Sequence, residues 1–289
     1  MRTLFLPSDS VRLLFTYNDS ALHFKDGETS TDGPGSVIGL HSLSSPFYTD
    51  NLPKTIKLFD VRFRPGGFCK LFGISPMEIG NACCKVEDVL GAEGRRIQDR
   101  LNNSGCMEER INILDGFFST RLRLRRSGIY SRRLDGEIGE TAAALQVIHE
   151  RGGQIRVSKL AEELNVARRT MEWRFSHHTG MKAKEFARIM RLNNLLNDIL
   201  HREPAGWAET AASHGYYDQM HMTKEFKSAT TLTPDSFLKL KGSTFLNMVG
   251  ILIFIDPARK RPDFVDDWIK ASAGIEEYLR SFRQLYKKQ

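Results

Sequence analysis

Cysteine is scarce in this sequence, with four residues in 289, and none of the four forms a C-x-x-C pair. Cys83 and Cys84 are adjacent, a placement that strains any disulfide between them. Cys69 and Cys106 have no histidine cluster near them along the chain. These absences argue against a disulfide scaffold and against a zinc motif, so reduced, mostly buried thiols are expected, with no metal and no cofactor. Long apolar runs are missing as well. The longest, residues 245–255, is interrupted by Asn247 and Gly250 and stopped by Asp256-Pro257, short of the ~20 apolar residues that span a bilayer. Residues 1–8 lack the basic-then-apolar order of a signal peptide, so no membrane association and a cytoplasmic location are expected. There is no G-x-S-x-G, H-E-x-x-H or G-x-x-x-x-G-K, and neither Cys69 nor Cys106 has the zinc or Pro-Cys context of an alkyl-transfer thiol. An enzyme is not expected.

What is present describes an ordinary globular chain. Hydrophobic residues make up 40% and charged residues 27%, and the length suits about two domains. A net charge of +7, from 42 Lys and Arg against 35 Asp and Glu, leans mildly towards a polyanionic partner. Six arginines and no acid lie between Arg121 and Arg133, which by themselves read as a solvated run.

Along the chain, the first 66 residues read as strands and turns: 11–17, then 36–43 after the turn cluster Asp32-Gly33-Pro34-Gly35, then the alternating stretch 56–63 closed by Pro65-Gly66-Gly67. From Phe68 to about Leu124 the pattern is helical. Ser75-Pro76 offers a capping residue with proline in the first turn, and Ile97 with Leu101, like Ile113 with Phe117, share helix faces. The expected fold class is α+β, mainly α. The expected domains are 1–124 (effector sensing or dimerisation), 125–138 (a linker), 139–242 (an all-α domain) and 243–289 (a helical extension).

The strongest signal is an internal repeat. Ala161 to Val166 is matched fifty residues later by Ala211 to Tyr216, and the Met171/Phe175 spacing recurs as Met222/Phe226. Phe175 is followed by Thr179, Met181 and Phe186, and Phe226 by Thr230, Leu232 and Phe237, at the same offsets. Each copy has the logic of a helix-turn-helix. A small Ala161 or Ala211 permits a close helix crossing. Asn165 or Gly215 then occupies a turn that needs a left-handed backbone. The next helix buries one apolar face and leaves its polar face for a major groove. Two copies in register, joined by a helix over 184–200, favour DNA binding over a helical domain with chance spacings.

Over residues 139–240, roughly a third of the chain, the sequence resembles the DNA-binding domain of the AraC/XylS family of regulators. The residues that carry the likeness are Ser158 to Ala161, Arg169-Thr170-Met171, Arg174-Phe175, Thr179-Gly180 and Arg191. The second block adds Ala211, Gly215 to Gln219, His221, Lys224 to Lys227 and Thr233-Pro234. The departures are Ala167 for a capping Ser, a change worth ~1 kcal/mol, with Ala183 for Pro, Thr231 for Gly, Met220 and Met222 for Ser and Phe, and Thr210 for an aliphatic residue.

The resemblance implies a regulator of transcription that places two recognition helices in successive major-groove segments of double-stranded DNA, modulated by its N-terminal domain. Arg168, Arg169, Glu172 and Trp173 are the implied readers on the first helix, and Gln219, Met220, Thr223 and Lys224 on the second. Arg169 suits guanine, Gln219 adenine, and Lys224 guanine or a phosphate. Glu172 either accepts from cytosine or repels a phosphate. Trp173 either meets a thymine methyl or, the favoured reading, packs against the neighbouring helix. Arg174, Lys182, Lys184, Arg188 and Lys227 are expected on phosphates. RNA polymerase, an unidentified small-molecule effector and a second copy of the chain are further candidate partners, and a non-specific architectural DNA binder is the competing function. Residues 61–67, 71–74 and 88–91 resemble an N-terminal domain of some members, without implying a ligand. Ile275, Tyr278, Leu279, Phe282, Leu285 and Tyr286 share a helical face in the tail, for core packing or, as the sharper reading, a dimer contact.

Overall fold

The structure, a computed structural model, describes residues 3–5, 9–16, 35–40, 47–49, 58–79, 83–124, 132–201, 204, 206–230 and 232–239. The turn at 32–34, the departure at Thr231 and the tail over 243–289 lie outside them. No described helix is long and apolar enough to cross a membrane.

In the N-terminal half, apolar and β-branched segments bounded by turn residues form an antiparallel sheet. Strand β1 (Thr3–Phe5) pairs with β4 (Phe47–Thr49). The larger sheet centres on β2 (Val11–Thr16), flanked by β5 (Leu58–Arg62) and β3 (Ser36–Leu40), with β6 (Cys83–Lys85) on the outer edge of β3. Leu13 faces Ile38 on one side and Val61 on the other. All six residues of β2 are buried, which requires cover on both faces of the sheet. The strands expected at 11–17, 36–43 and 56–63 are β2, β3 and β5. β6 is a correction: it falls in a stretch expected to be helical, where the open edge of β3 recruits it through the Val37–Lys85 register.

Five helices follow β5: α1 (Gly67–Phe72), α2 (Pro76–Ile79), α3 (Val86–Leu90), α4 (Ala92–Asn102) and α5 (Met107–Leu124). Phe63, Phe68, Phe72, Phe117 and Phe118 gather α1 and α5 under the sheet. Their contacts are mainly edge-to-face, as in the pair Phe63–Phe68 at 5.4 Å and 79°. Gln98 Nε2 donates to the Thr16 carbonyl at 3.0 Å and fastens α4 to the end of β2.

The second half is helical throughout its described residues: α6 (Arg132–Glu150), α7 (Val157–Glu163), α8 (Arg168–Thr179), α9 (Ala183–His201), α10 (Trp207–Ser213), α11 (Gln219–Thr230) and α12 (Pro234–Lys239). Helix α6 begins inside the stretch read as a linker. The repeat extends from sequence into bonding. Val166 N–H donates to Ala161 O at 3.1 Å, and Tyr216 N–H to Ala211 O at 2.9 Å. Thr179 Oγ1 donates to Phe175 O at 2.7 Å and accepts from Met181 N–H at 3.3 Å; Thr230 Oγ1 does the same with Phe226 O at 2.8 Å and Leu232 N–H at 3.2 Å. Phe175 meets Phe186 edge-on at 5.5 Å, and Phe226 meets Phe237 at 5.4 Å.

The two halves meet at the end of α8. Ser75 Oγ accepts from Met77 N–H at 3.3 Å, as expected of a cap, and also donates to the His177 carbonyl at 2.6 Å. Next to it, His178 is fully buried. Desolvation, then repulsion from His177, pushes its pKa down to about 4, so the ring is neutral.

The two turns show why the sequence reads as it does. Asn165 has φ 50°, the one positive value among described non-glycine residues, and Gly215 has φ 70°. Gly153, at φ 81°, lets the α6–α7 turn touch α9, where an added Cβ would overlap the Ala187 carbonyl oxygen and come within 3.0 Å of Arg191 N. Thermal melts check both positions. Asn165→Gly is expected to stabilise by up to ~1 kcal/mol by removing a left-handed side-chain penalty, whereas Gly153→Ala is expected to destabilise by about 2–4 kcal/mol.

Candidate nucleic-acid interface

Helices α8 and α11 are twelve residues each and bury the same stripe, Met171, Phe175 and Thr179 on one and Met222, Phe226 and Thr230 on the other. Burying that stripe turns the opposite face outward. On α8 the outward residues are Arg168, Arg169 and Trp173; on α11 they are Gln219, Met220, Lys224 and Lys227, with Glu172 and Thr223 half-buried at the margins. Met220 is 80% exposed and Tyr217, in the turn before α11, is 93% exposed. Tyr217 was missed as a site residue; its only signal in the sequence was its place in the Gly215 to Gln219 block.

Among the described residues, Arg169, Gln219 and Lys224 make no hydrogen bond or ion pair, leaving their polar ends available. Arg168 donates to Glu172 Oε1 at 3.2 Å, one helical turn away. Glu172 therefore orients a cation on the same face. The start of α8 has no side-chain cap, since Ala167 supplies none; its first amide donors sit beside Arg168 and Arg169, an arrangement that favours an anion. At the start of α11 the Asp218 carboxylate accepts from His221 N–H at 2.7 Å, so this end is capped.

Three expectations change. Trp173 does not pack into the neighbouring helix. It is 56% exposed and lies flat on His177, with centroids 5.1 Å apart and planes at 9°; a flat partner one turn along the helix holds the indole on the surface. Arg174 pairs with Glu140 and lies 3.9 Å from Glu137, both on α6. Arg188 donates to Glu225 at 2.8 Å. These two arginines join helices, whereas Lys182, Lys184 and Lys227 remain exposed.

Glu225 is the centre of that second contact and was not foreseen. Its carboxylate is buried on α11 and receives Arg188 at 2.8 Å and Arg191 at 3.2 Å, both from α9. Arg191 also lies 4.5 Å above the Tyr216 ring. Burial, then the charge of Glu225, raises the Tyr216 pKa, so its hydroxyl stays protonated. Sequence spacing could not reveal the network, because its members come from different elements.

The family described as "Helix-turn-helix domain" matches residues 160–240. No curated protein matches the chain. Among solved structures, the chain is similar to the C-terminal domain of AraT, a response regulator from Geobacillus stearothermophilus, with 22% identity over 35% of this chain and 84% of that one, TM-score 0.33. It is similar to an AraC-type transcriptional regulator from Chromobacterium violaceum, with 14% identity over 38% of this chain and 98% of that one, TM-score 0.35. It is also similar to ToxT from Vibrio cholerae, with 15% identity over 84% of this chain and 95% of that one, TM-score 0.43. Residues 160–240 thus match a helix-turn-helix domain family, over the stretch that carries the internal repeat.

Removing the Glu225 carboxylate leaves the half-buried Arg191 and the part-exposed Arg188 without their shared partner. Glu225→Ala is expected to cost about 2–3 kcal/mol, against less than ~0.5 kcal/mol for Glu172→Ala on the exposed face. Urea denaturation of both variants checks the contrast.

Proposed function

We propose that α8 and α11 read DNA sequence together, in successive segments of one major groove, and that the N-terminal half governs how α8 is presented. The observation that carries this reading is the duplicated unit itself: two helices of equal length, buried on equivalent stripes, each preceded by a left-handed turn, with polar faces open.

Contacts divide by role. Arg169, Gln219 and Lys224 are long, exposed and unpaired among the described residues, which suits base edges. Trp173, Met220 and Thr223 supply apolar or hydroxyl surface for thymine methyl groups, and Arg168, oriented by Glu172, reaches a neighbouring base or phosphate. Lys182, Lys184 and Lys227 contribute sequence-independent affinity through phosphates. For the N-terminal half the support is physical contact, since Ser75 bonds the last turn of α8 directly.

Selection from random duplex DNA tests the reading, with enrichment of one asymmetric site expected. On that site, Arg169→Ala and Lys224→Ala should each weaken binding by ~1–3 kcal/mol and relax preference at one position, while Lys182→Ala should lower all affinities alike and reduce the salt slope by about 1. Steep salt dependence with no enriched site would overturn this reading in favour of an architectural DNA binder.

A further inference from the structure

Cys69 and the pair His177-His178 lie in opposite halves of the chain, yet one ligand atom from each lies within 4.8 Å of the other two. Cys69, on α1, and His178, at the end of α8, are buried, and His177 is half-buried. The Thr141 hydroxyl lies 2.7 Å from His178 Nδ1 and 3.1 Å from the Glu137 carbonyl, so Nδ1 is engaged whichever of the two groups carries the shared proton. Nε2, by contrast, is buried without a hydrogen-bond partner. A buried ring nitrogen with no partner is rare and costly. An oriented imidazole, held through one nitrogen by a hydroxyl and open at the other, is how metal-ligating histidines are presented. The His177 ring is steadied separately, by stacking on Trp173.

We propose that Cys69, His177 and His178 bind one zinc-class divalent ion and so tie the N-terminal half to the end of the first recognition helix. A thiolate with two imidazoles is a borderline-soft donor set that suits Zn(II) or Co(II) over Mg(II) or Ca(II). Three protein ligands leave a tetrahedral ion one position for water or an external thiol. Ligand bonds of ~2.0–2.3 Å place donor atoms roughly 3.5 Å apart, so the cluster contracts on binding, mainly through the half-buried His177. Metal binding does not depend on the DNA reading; only its consequence for α8 does.

The test uses the full-length chain, stripped with a chelator and titrated with Co(II), then Zn(II). The expected result is one Co(II) per chain, with a thiolate-to-cobalt charge-transfer band and strong tetrahedral d–d absorption, displaced by Zn(II), and a melting temperature raised by Zn(II). Cys69→Ser should abolish the charge-transfer band and weaken metal binding at least tenfold. His177→Ala, at a less buried position, should also weaken it at least tenfold, and carries the test if the serine variant does not fold. Absence of the band in the wild-type chain, or its persistence in Cys69→Ser or at undiminished affinity in His177→Ala, overturns the proposal.

Discussion

A single buried carboxylate, Glu225, keeps the two copies of the repeated helical unit in one frame. Arg188 and Arg191 are three residues apart on α9 and so present to one side, where both reach the same group on α11. A lone carboxylate in that position would be expensive to desolvate, and a lone arginine there nearly as much. Together they fix the rotation of α11 about α9 in a way that apolar packing, with its tolerance for sliding, would not. The same stretch of α9 holds the other unit by different means. Phe186 packs edge-on against Phe175 of α8, and the turn at Gly153 comes so close to Ala187 and Arg191 that no side chain fits. Helix α9 therefore acts as a shared spine, with α8 held by ring packing and α11 by charge.

Most of that frame was legible in the sequence, for a local reason. A left-handed turn admits few residues, so Asn165 and Gly215 declare it. Helix faces repeat at fixed offsets, so Met171, Phe175 and Phe186 announce their counterparts Met222, Phe226 and Phe237. What could not be read depends on which elements meet. Arg174 and Arg188 carry the same residue type and spacing as phosphate contacts, and only the arrival of α6 and α11 turns them into ion-pair partners. Strand β6 forms because β3 has an edge to fill, and Trp173 stays outside because His177 offers it a flat surface. The Cys69 thiol met no histidine along the chain, yet folding delivers two to it.

The units that looked interchangeable in the repeat are held differently. The second has a carboxylate cap at Asp218 and the Glu225 network, both internal to the helical half. The first has no side-chain cap at Ala167, and its last turn is bonded outward, to Ser75 of the N-terminal half and to α6 through Arg174. Among the described residues, the N-terminal half bonds directly to the last turn of α8 through Ser75.

On the proposed function, this asymmetry gives a small movement a large effect. When both recognition helices engage, the second binds at the high effective concentration set by α9, and linked binding exceeds that of either helix by on the order of 10²–10⁴-fold. A shift of α8 that merely breaks its register with the groove forfeits that gain while α11 stays competent. Regulation then requires no unfolding and no occlusion of the reading face. It requires only that the last turn of α8, where Ser75, His177 and His178 converge, have two positions differing by less than the free energy of the bivalent contact. The least symmetrical part of the duplicated domain is accordingly where control of binding is cheapest to build.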